Sequence, residues 1–141
     1  MLKKTITYTD WNDVERTEDF YFNLTKTELV KMQLEDHGAF ADKIRAIIRA
    51  KDTIEIINVL ESMVLKAYGE KSPDGRRFMK SDAISRAFIE SPAYDALYME
   101  LIQDPEKFAA FVNSLIPADL AAQVEEMQKS GKVPEEMKDL R

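Results

Sequence analysis

The sequence predicts an α+β fold, predominantly α, with an N-terminal β-hairpin packed on a bundle of about five to six helices. Residues 1–23 alternate apolar and polar side chains on both sides of a turn, which is typical of a hairpin. Residues 24–130 repeat apolar side chains at helical spacing between capping signals. With 141 residues, 45% hydrophobic and 33% charged, the chain is long enough to bury one core. We therefore expect a single domain over residues 1–130 and a frayed tail at 131–141.

Two short runs with β propensity form the predicted hairpin. Residues 5–9 alternate β-branched or aromatic side chains with threonines, and a turn follows at residues 10–13. Residues 14–23 form the second run, in which Phe20 and Phe22 share one face while Tyr21 lies on the other. A lone hairpin is marginal in water, so this one must lie against helices or gain a third strand from a partner.

Capping signals mark where the helices begin. Thr25 and Glu28 form a capping box, and Asp52 with Glu55 forms a second one. The helix expected over residues 52–68 carries apolar side chains around most of its circumference, which predicts a central position in the bundle.

Proline after a capping residue starts two further helices, at residues 91–92 and 104–105. Their apolar side chains recur at helical spacing, and four of them are expected in the core: Leu97, Leu101, Phe108 and Phe111.

The residue inventory disfavours an enzyme and offers no metal or cofactor site. There is no cysteine, and His37, the one histidine, stands in a loop-like Glu-Asp-His-Gly sequence without a second imidazole. No nucleophile motif and no phosphate-binding glycine loop occurs. Carboxylate pairs are plentiful but no pair is distinguished, so a small enzyme ranks third among the functional classes.

Charge is distributed unevenly along a chain of net charge −6. The acidic C-terminal half repels phosphate backbones, so we expect no general binding to nucleic acid. The turn from Lys71 to Lys80, with Arg76 and Arg77 between them, is a small basic patch. It supports the alternative hypothesis of a regulatory or adaptor protein that binds nucleic acid or a host factor. The sequence also contains no membrane-spanning run and no signal peptide, which predicts a cytoplasmic location.

Aromatic and methionine side chains are abundant, with seven Met, seven Phe, five Tyr and one Trp. Methionine suits surfaces that must accommodate an imperfect or repetitive partner. Trp11, Tyr21 and Met99 fall in a turn or off the main apolar stripes, so they are the predicted partner-binding residues. An edge of the hairpin is a second possible contact, either with another copy or with a partner strand.

Two stretches of this chain, TITYTDWNDVERTEDFYFNLTKTELVKM and YGEKSPDGRRFMKSDAISRAFIESPAYDALYMELIQDPEKFAAFVNSLIP, resemble the tail assembly chaperones of siphophages and prophages from Gram-positive hosts. The resemblance implies a non-enzymatic protein in the host cytoplasm that binds the long tape measure protein and delivers it to the major tail protein during tail tube polymerisation. It also implies that the protein is absent from the mature virion. The family has no catalytic residues to transfer.

Overall fold

The computed structural model describes residues 1–130 and confirms an α+β fold that is predominantly α. The expected tail at 131–141 lies outside the described residues. Within residues 1–130 the chain forms four strands and seven helices. In chain order these are β1 (Leu2–Thr9), β2 (Glu15–Phe22), α1 (Lys26–Glu35), α2 (Phe40–Ala50), α3 (Thr53–Ala67), β3 (Tyr68–Lys71), β4 (Phe78–Met79), α4 (Asp82–Ile89), α5 (Pro92–Gln103), α6 (Pro105–Leu115) and α7 (Leu120–Ser130).

The four strands form one antiparallel sheet in the order β1-β2-β3-β4. β1 and β2 pair along their whole length, from Leu2 opposite Phe22 to Thr9 opposite Glu15. β3 joins β2 near its end, where Tyr68 lies opposite Phe22. The third strand that the hairpin needs therefore comes from the same chain.

The segment after α3 differs from the sequence expectation, which ended a helix at Tyr68 and Gly69 and placed only a turn beyond them. In the structure these residues belong to β3, and Tyr68 is buried against Phe22 and Phe88. A Cβ atom at Gly69 would lie 2.7 Å from the ring of Phe78, so only glycine lets β4 approach this closely. The strand is stabilised by pairing and aromatic packing rather than by its own weak β propensity.

The core lies between the inner face of the sheet and the helices. Phe22, which is fully buried, contacts the rings of Tyr68, Phe88 and Phe111 with centroids 5.4–5.8 Å apart. The four core positions expected on α5 and α6 are all buried, which confirms the apolar pattern: Leu97, Leu101, Phe108 and Phe111.

Helix α3 is buried on one side rather than around most of its circumference. Leu60, Met63 and Val64 are buried, as expected for a helix in the bundle. Ile54 and Leu65, however, are 70% and 48% exposed. The broad apolar pattern therefore includes positions that no described element covers.

Two of the predicted caps differ from the expectation, at Asp52 and at Ser91. The hydroxyl of Thr25 accepts a hydrogen bond from the amide of Glu28, whose carboxylate accepts one from the amide of Thr25. Asp52 accepts from two amides in the first turn of α3, but Glu55 does not return a hydrogen bond to the amide of Asp52, so only half of the predicted second capping box forms. Ser91 does not cap α5 with its side chain, since its hydroxyl donates to the carbonyl of Phe88 at 2.7 Å.

Candidate partner-binding surfaces

An open groove lies between the end of α3 and one face of α4. Its volume is about 410 Å³. The residues that α4 and its end contribute are spaced i, i+3, i+4, i+7 and i+8, so they fall along one side of the helix. The lining consists of Leu65, Asp82, Ser85, Arg86, Ile89 and Glu90.

Helix α4 is held in place by its cap and by its opposite face. Ser81 accepts a hydrogen bond from the amide of Ile84 at 3.1 Å, which begins the helix. Phe88 is buried and stacks on Tyr68 with ring centroids 4.2 Å apart and an interplanar angle of 14°. The hydroxyl of Ser85 donates to the carbonyl of Leu65 at 3.3 Å, which ties α4 to α3. The groove-facing side of α4 is thus presented on a fixed helix.

Two aliphatic side chains of the groove are exposed to solvent. Leu65 is 48% exposed and Ile89 is 37% exposed. The other lining side chains are polar or charged and carry both signs. Exposed aliphatic side chains among polar and charged ones are a composition found in surfaces that bind another protein.

Trp11 lies beside this groove. Its side chain is 80% exposed, and its Nε1 donates to the carbonyl of Glu90 at 3.2 Å. The hairpin turn is held by Asp10, whose carboxylate accepts from the amides of Asn12 and Val14 and pairs with Arg16 at 2.6 Å. The hydrogen bond from Arg16 is the largest cause of a pKa of Asp10 below its ordinary value. The indole is therefore positioned on an ordered turn.

Tyr21 and Met99 lie elsewhere on the surface. Tyr21 is partly buried on the outer face of the sheet, and Nζ of Lys71 lies 4.2 Å from the centre of its ring. Met99 is 45% exposed on α5. Trp11 and Tyr21 are separated by most of β2, since Glu15 and Tyr21 alone lie about 20 Å apart at ~3.3 Å per residue. The three predicted residues do not form one cluster.

Leu65 and Ile89 are not among the partner-binding residues that the sequence predicts. The apolar pattern of the helix over residues 52–68 predicts that Leu65 is buried, although it shares a helical stripe with three exposed polar residues, Asn58, Glu61 and Ser62. That polar stripe was the signal that could have found it. Ile89 ends a short helix next to buried Phe88, and it shares one side of that helix with three polar residues, Asp82, Ser85 and Arg86.

The basic turn has two of its four cations engaged inside the molecule. Nζ of Lys80 donates to α1, α3 and the residue after β2, including both carboxylate oxygens of Glu28 at 2.8 and 2.9 Å. Lys71 lies over the ring of Tyr21. Arg76 and Arg77 are exposed, so any contact with phosphate groups would depend mainly on these two side chains.

His37 is exposed in the loop between α1 and α2, where its φ is 53°. Among residues 1–130, no group of three or more histidine, aspartate and glutamate side chains is arranged to hold a metal ion. No helix of this part of the chain is both long and apolar enough to cross a bilayer.

The fold and the surface define a small α+β domain that presents apolar side chains from a helical groove and an ordered hairpin turn, the features of a protein-binding domain. A family model described as phage tail assembly chaperone matches residues 1–140. The chain therefore belongs to the phage tail assembly chaperone family, as its resemblance to that family predicted. No curated protein and no solved structure gives a significant match to it. Membership of this family points to a non-enzymatic role with protein partners in tail assembly.

Proposed function

We propose that this chaperone binds the tape measure protein in the host cytoplasm and assists polymerisation of the tail tube around it. The observation that carries the proposal is the groove in which Leu65 and Ile89 stand exposed beside Trp11. Family membership supports the chaperone role, and the resemblance to siphophage members supports the choice of partner.

The groove suits an amphipathic helix. The eight residues of α4 span about 12 Å at ~1.5 Å per residue, which corresponds to two turns of a helix laid along it. Leu65 and Ile89 would contact apolar residues of that helix, and the charged lining would contact its flanks. Trp11, which donates a hydrogen bond to the lining residue Glu90, supplies a large rigid surface at low entropic cost.

Many weak contacts fit the task better than one strong contact. A tape measure protein is long, and each bound copy must leave when the major tail protein polymerises. Micromolar binding at each site, about −8 kcal/mol, is easily reversed, while many sites on one chain keep the complex together. A net charge of −6 on each copy causes mutual repulsion, which helps to keep a loaded filament dispersed.

Co-expression with the tape measure protein from the same phage genome tests the proposal. We expect a soluble complex with many copies of the chaperone per tape measure chain on size-exclusion chromatography. Leu65→Gln and Ile89→Gln should each lower the number of bound copies, and Trp11→Ala should do the same. A tape measure protein that stays insoluble, with no complex eluting, would overturn the proposal.

Ile54→Gln is the matched control for the groove variants. Ile54 lies on the same helix as Leu65, is 70% exposed and does not line the groove. It should leave the complex unchanged. If Ile54→Gln and Leu65→Gln reduce binding equally, the groove is not the contact site. Two further variants, Met99→Gln and Tyr21→Phe, show whether the other two predicted residues contribute to binding of the tape measure protein.

The alternative function, binding of nucleic acid or a host factor through the turn from Lys71 to Lys80, has weaker support because Lys80 is engaged internally. A gel shift at low salt discriminates between the two. Salt-sensitive DNA binding that is lost on changing Arg76 and Arg77 would favour the alternative.

A further inference from the structure

β1 forms an open edge of the sheet, and the hairpin geometry determines which backbone groups lie there. The amide of Asp10 donates to the carbonyl of Val14 at 2.9 Å, next to the pair formed by Thr9 and Glu15. Hydrogen-bonded and non-hydrogen-bonded pairs alternate along an antiparallel ladder. The even-numbered residues of β1 therefore bond to β2. The N–H and C=O groups that point away from β2 are those of Lys3, Thr5, Thr7 and Thr9.

This edge has little of the protection that sheet edges normally carry. The four outward residues are exposed, and the register with β2 runs without a bulge. β1 contains no proline, and its charged residues, Lys3 and Lys4, are confined to its start. Within residues 1–130, no backbone hydrogen bond joins the four outward residues to another element. The edge is therefore available for strand addition.

We propose that β1 pairs antiparallel with β1 of a second copy of this chain, about a two-fold axis at Ile6. In this register Thr5 lies opposite Thr7 of the second copy, and Lys3 lies opposite its Thr9. Every outward N–H and C=O group of the four residues then has a partner. The lysines lie at opposite ends of the interface, so no like charges face each other.

The side chains favour a second copy of β1 as the occupant. Thr7 Oγ1 already lies 2.9 Å from Thr17 Oγ1 on the outer face of the sheet, and the pairing extends this row of threonines across the interface. The other open stretch of the sheet lies on β2. It is shorter because Tyr21 already pairs with β3, and this stretch carries Glu15 and Asp19. Pairing β2 with itself would bring acidic side chains together. The two-fold arrangement also closes, giving a dimer rather than a filament.

Sedimentation of the purified chain, without any tape measure protein, tests the pairing independently of the proposed function. We expect a dimer that dissociates on dilution. Thr7→Pro removes an outward N–H without breaking the ladder to β2, and it should give a monomer at all concentrations. Thr17→Pro is the matched control because it removes an outward N–H from the open stretch of β2, and it should leave the dimer intact.

Disulfide formation tests the register, and the chain has no cysteine of its own. Thr5→Cys mixed with Thr7→Cys should form an oxidised heterodimer, since the two positions lie roughly 5.5 Å apart between Cα atoms. Thr5→Cys mixed with Thr17→Cys should not. If circular dichroism shows that Thr7→Pro is unfolded, the disulfide experiment alone decides whether β1 pairs with β1 of a second copy.

Three results would overturn the proposal. The first is a monomer at every concentration. The second is a dimer without the predicted heterodimeric disulfide. The third is an assembly that Thr17→Pro disrupts as much as Thr7→Pro, which would indicate pairing of β1 with β2 in an open chain.

Discussion

Nζ of Lys80 lies 2.8 Å from Oε1 and 2.9 Å from Oε2 of Glu28, which joins the residue after β4 to the first turn of α1. The same ammonium donates to the carbonyl of Asn23 at 2.6 Å and to that of Lys66 at 2.9 Å. One cation thus connects the ends of β2 and α3 with α1. The fold depends on a residue that the sequence suggested as part of a nucleic-acid contact.

Replacing this cation should destabilise the protein. We expect Lys80→Met to lower the free energy of unfolding in urea by ~2 kcal/mol, because a partly buried carboxylate and two carbonyls lose a charged donor. Lys129→Met is the control. Lys129 pairs with Glu125 at 3.2 Å, but both side chains are exposed, so the expected loss is below about 0.5 kcal/mol. Equal losses for the two variants would contradict the connecting role of Lys80.

Lys80→Met should also change how the free energy of unfolding depends on pH on the acid side. Partial burial raises the pKa of Glu28, but hydrogen bonds from Lys80 and Thr25 and the positive charge of Lys80 together lower it by more, so the net pKa lies below its ordinary value. A lowered carboxyl pKa contributes stability above the pKa of the unfolded chain, and that stability is lost as pH falls through the folded pKa. The loss on acidification should be smaller in Lys80→Met than in the parent protein.

Tyr68 predicts a pH dependence on the alkaline side. Burial, followed by the nearby charge of Glu70, raises the pKa of Tyr68 to about 12. Its contribution to stability is fully present below the unfolded pKa, near 10, and is lost as pH rises through 12. Tyr68→Phe removes this titration, so its urea midpoint should fall less than that of the parent protein over this pH range. A constant difference from neutral pH upward would contradict the assignment.

Gly69 should not tolerate even a methyl group. A Cβ atom there would lie 2.7 Å from Cε2 of Phe78 and 2.8 Å from the backbone oxygen of Met79. We expect Gly69→Ala to lower the free energy of unfolding by ~2 kcal/mol, since the backbone oxygen has little freedom to move. The double variant with Phe78→Ala serves as the control. It should recover only part of the loss, because the overlap with Met79 remains.

For Trp11, the sequence pattern predicts an exposed side chain but not the residue that it contacts. Trp11 is predicted as a contact residue because it falls in a turn outside the main apolar stripes, and in the structure it is the most exposed large hydrophobic side chain of the described residues. That it contacts Glu90, 79 positions away in the chain, could not be predicted, because no local pattern encodes a contact between a hairpin turn and a distant helix end. Its role in binding remains a prediction.

By itself the sequence determined the class of fold, the hairpin and the starts of most helices, because these depend on interactions between residues a few positions apart. The Thr25 capping box and the shared face of Phe20 and Phe22 are examples. Only the tertiary structure decided that Tyr68 begins a strand and that Lys80 is a structural cation. Each of these outcomes depends on a partner far along the chain, and the energies of such contacts exceed weak local preferences.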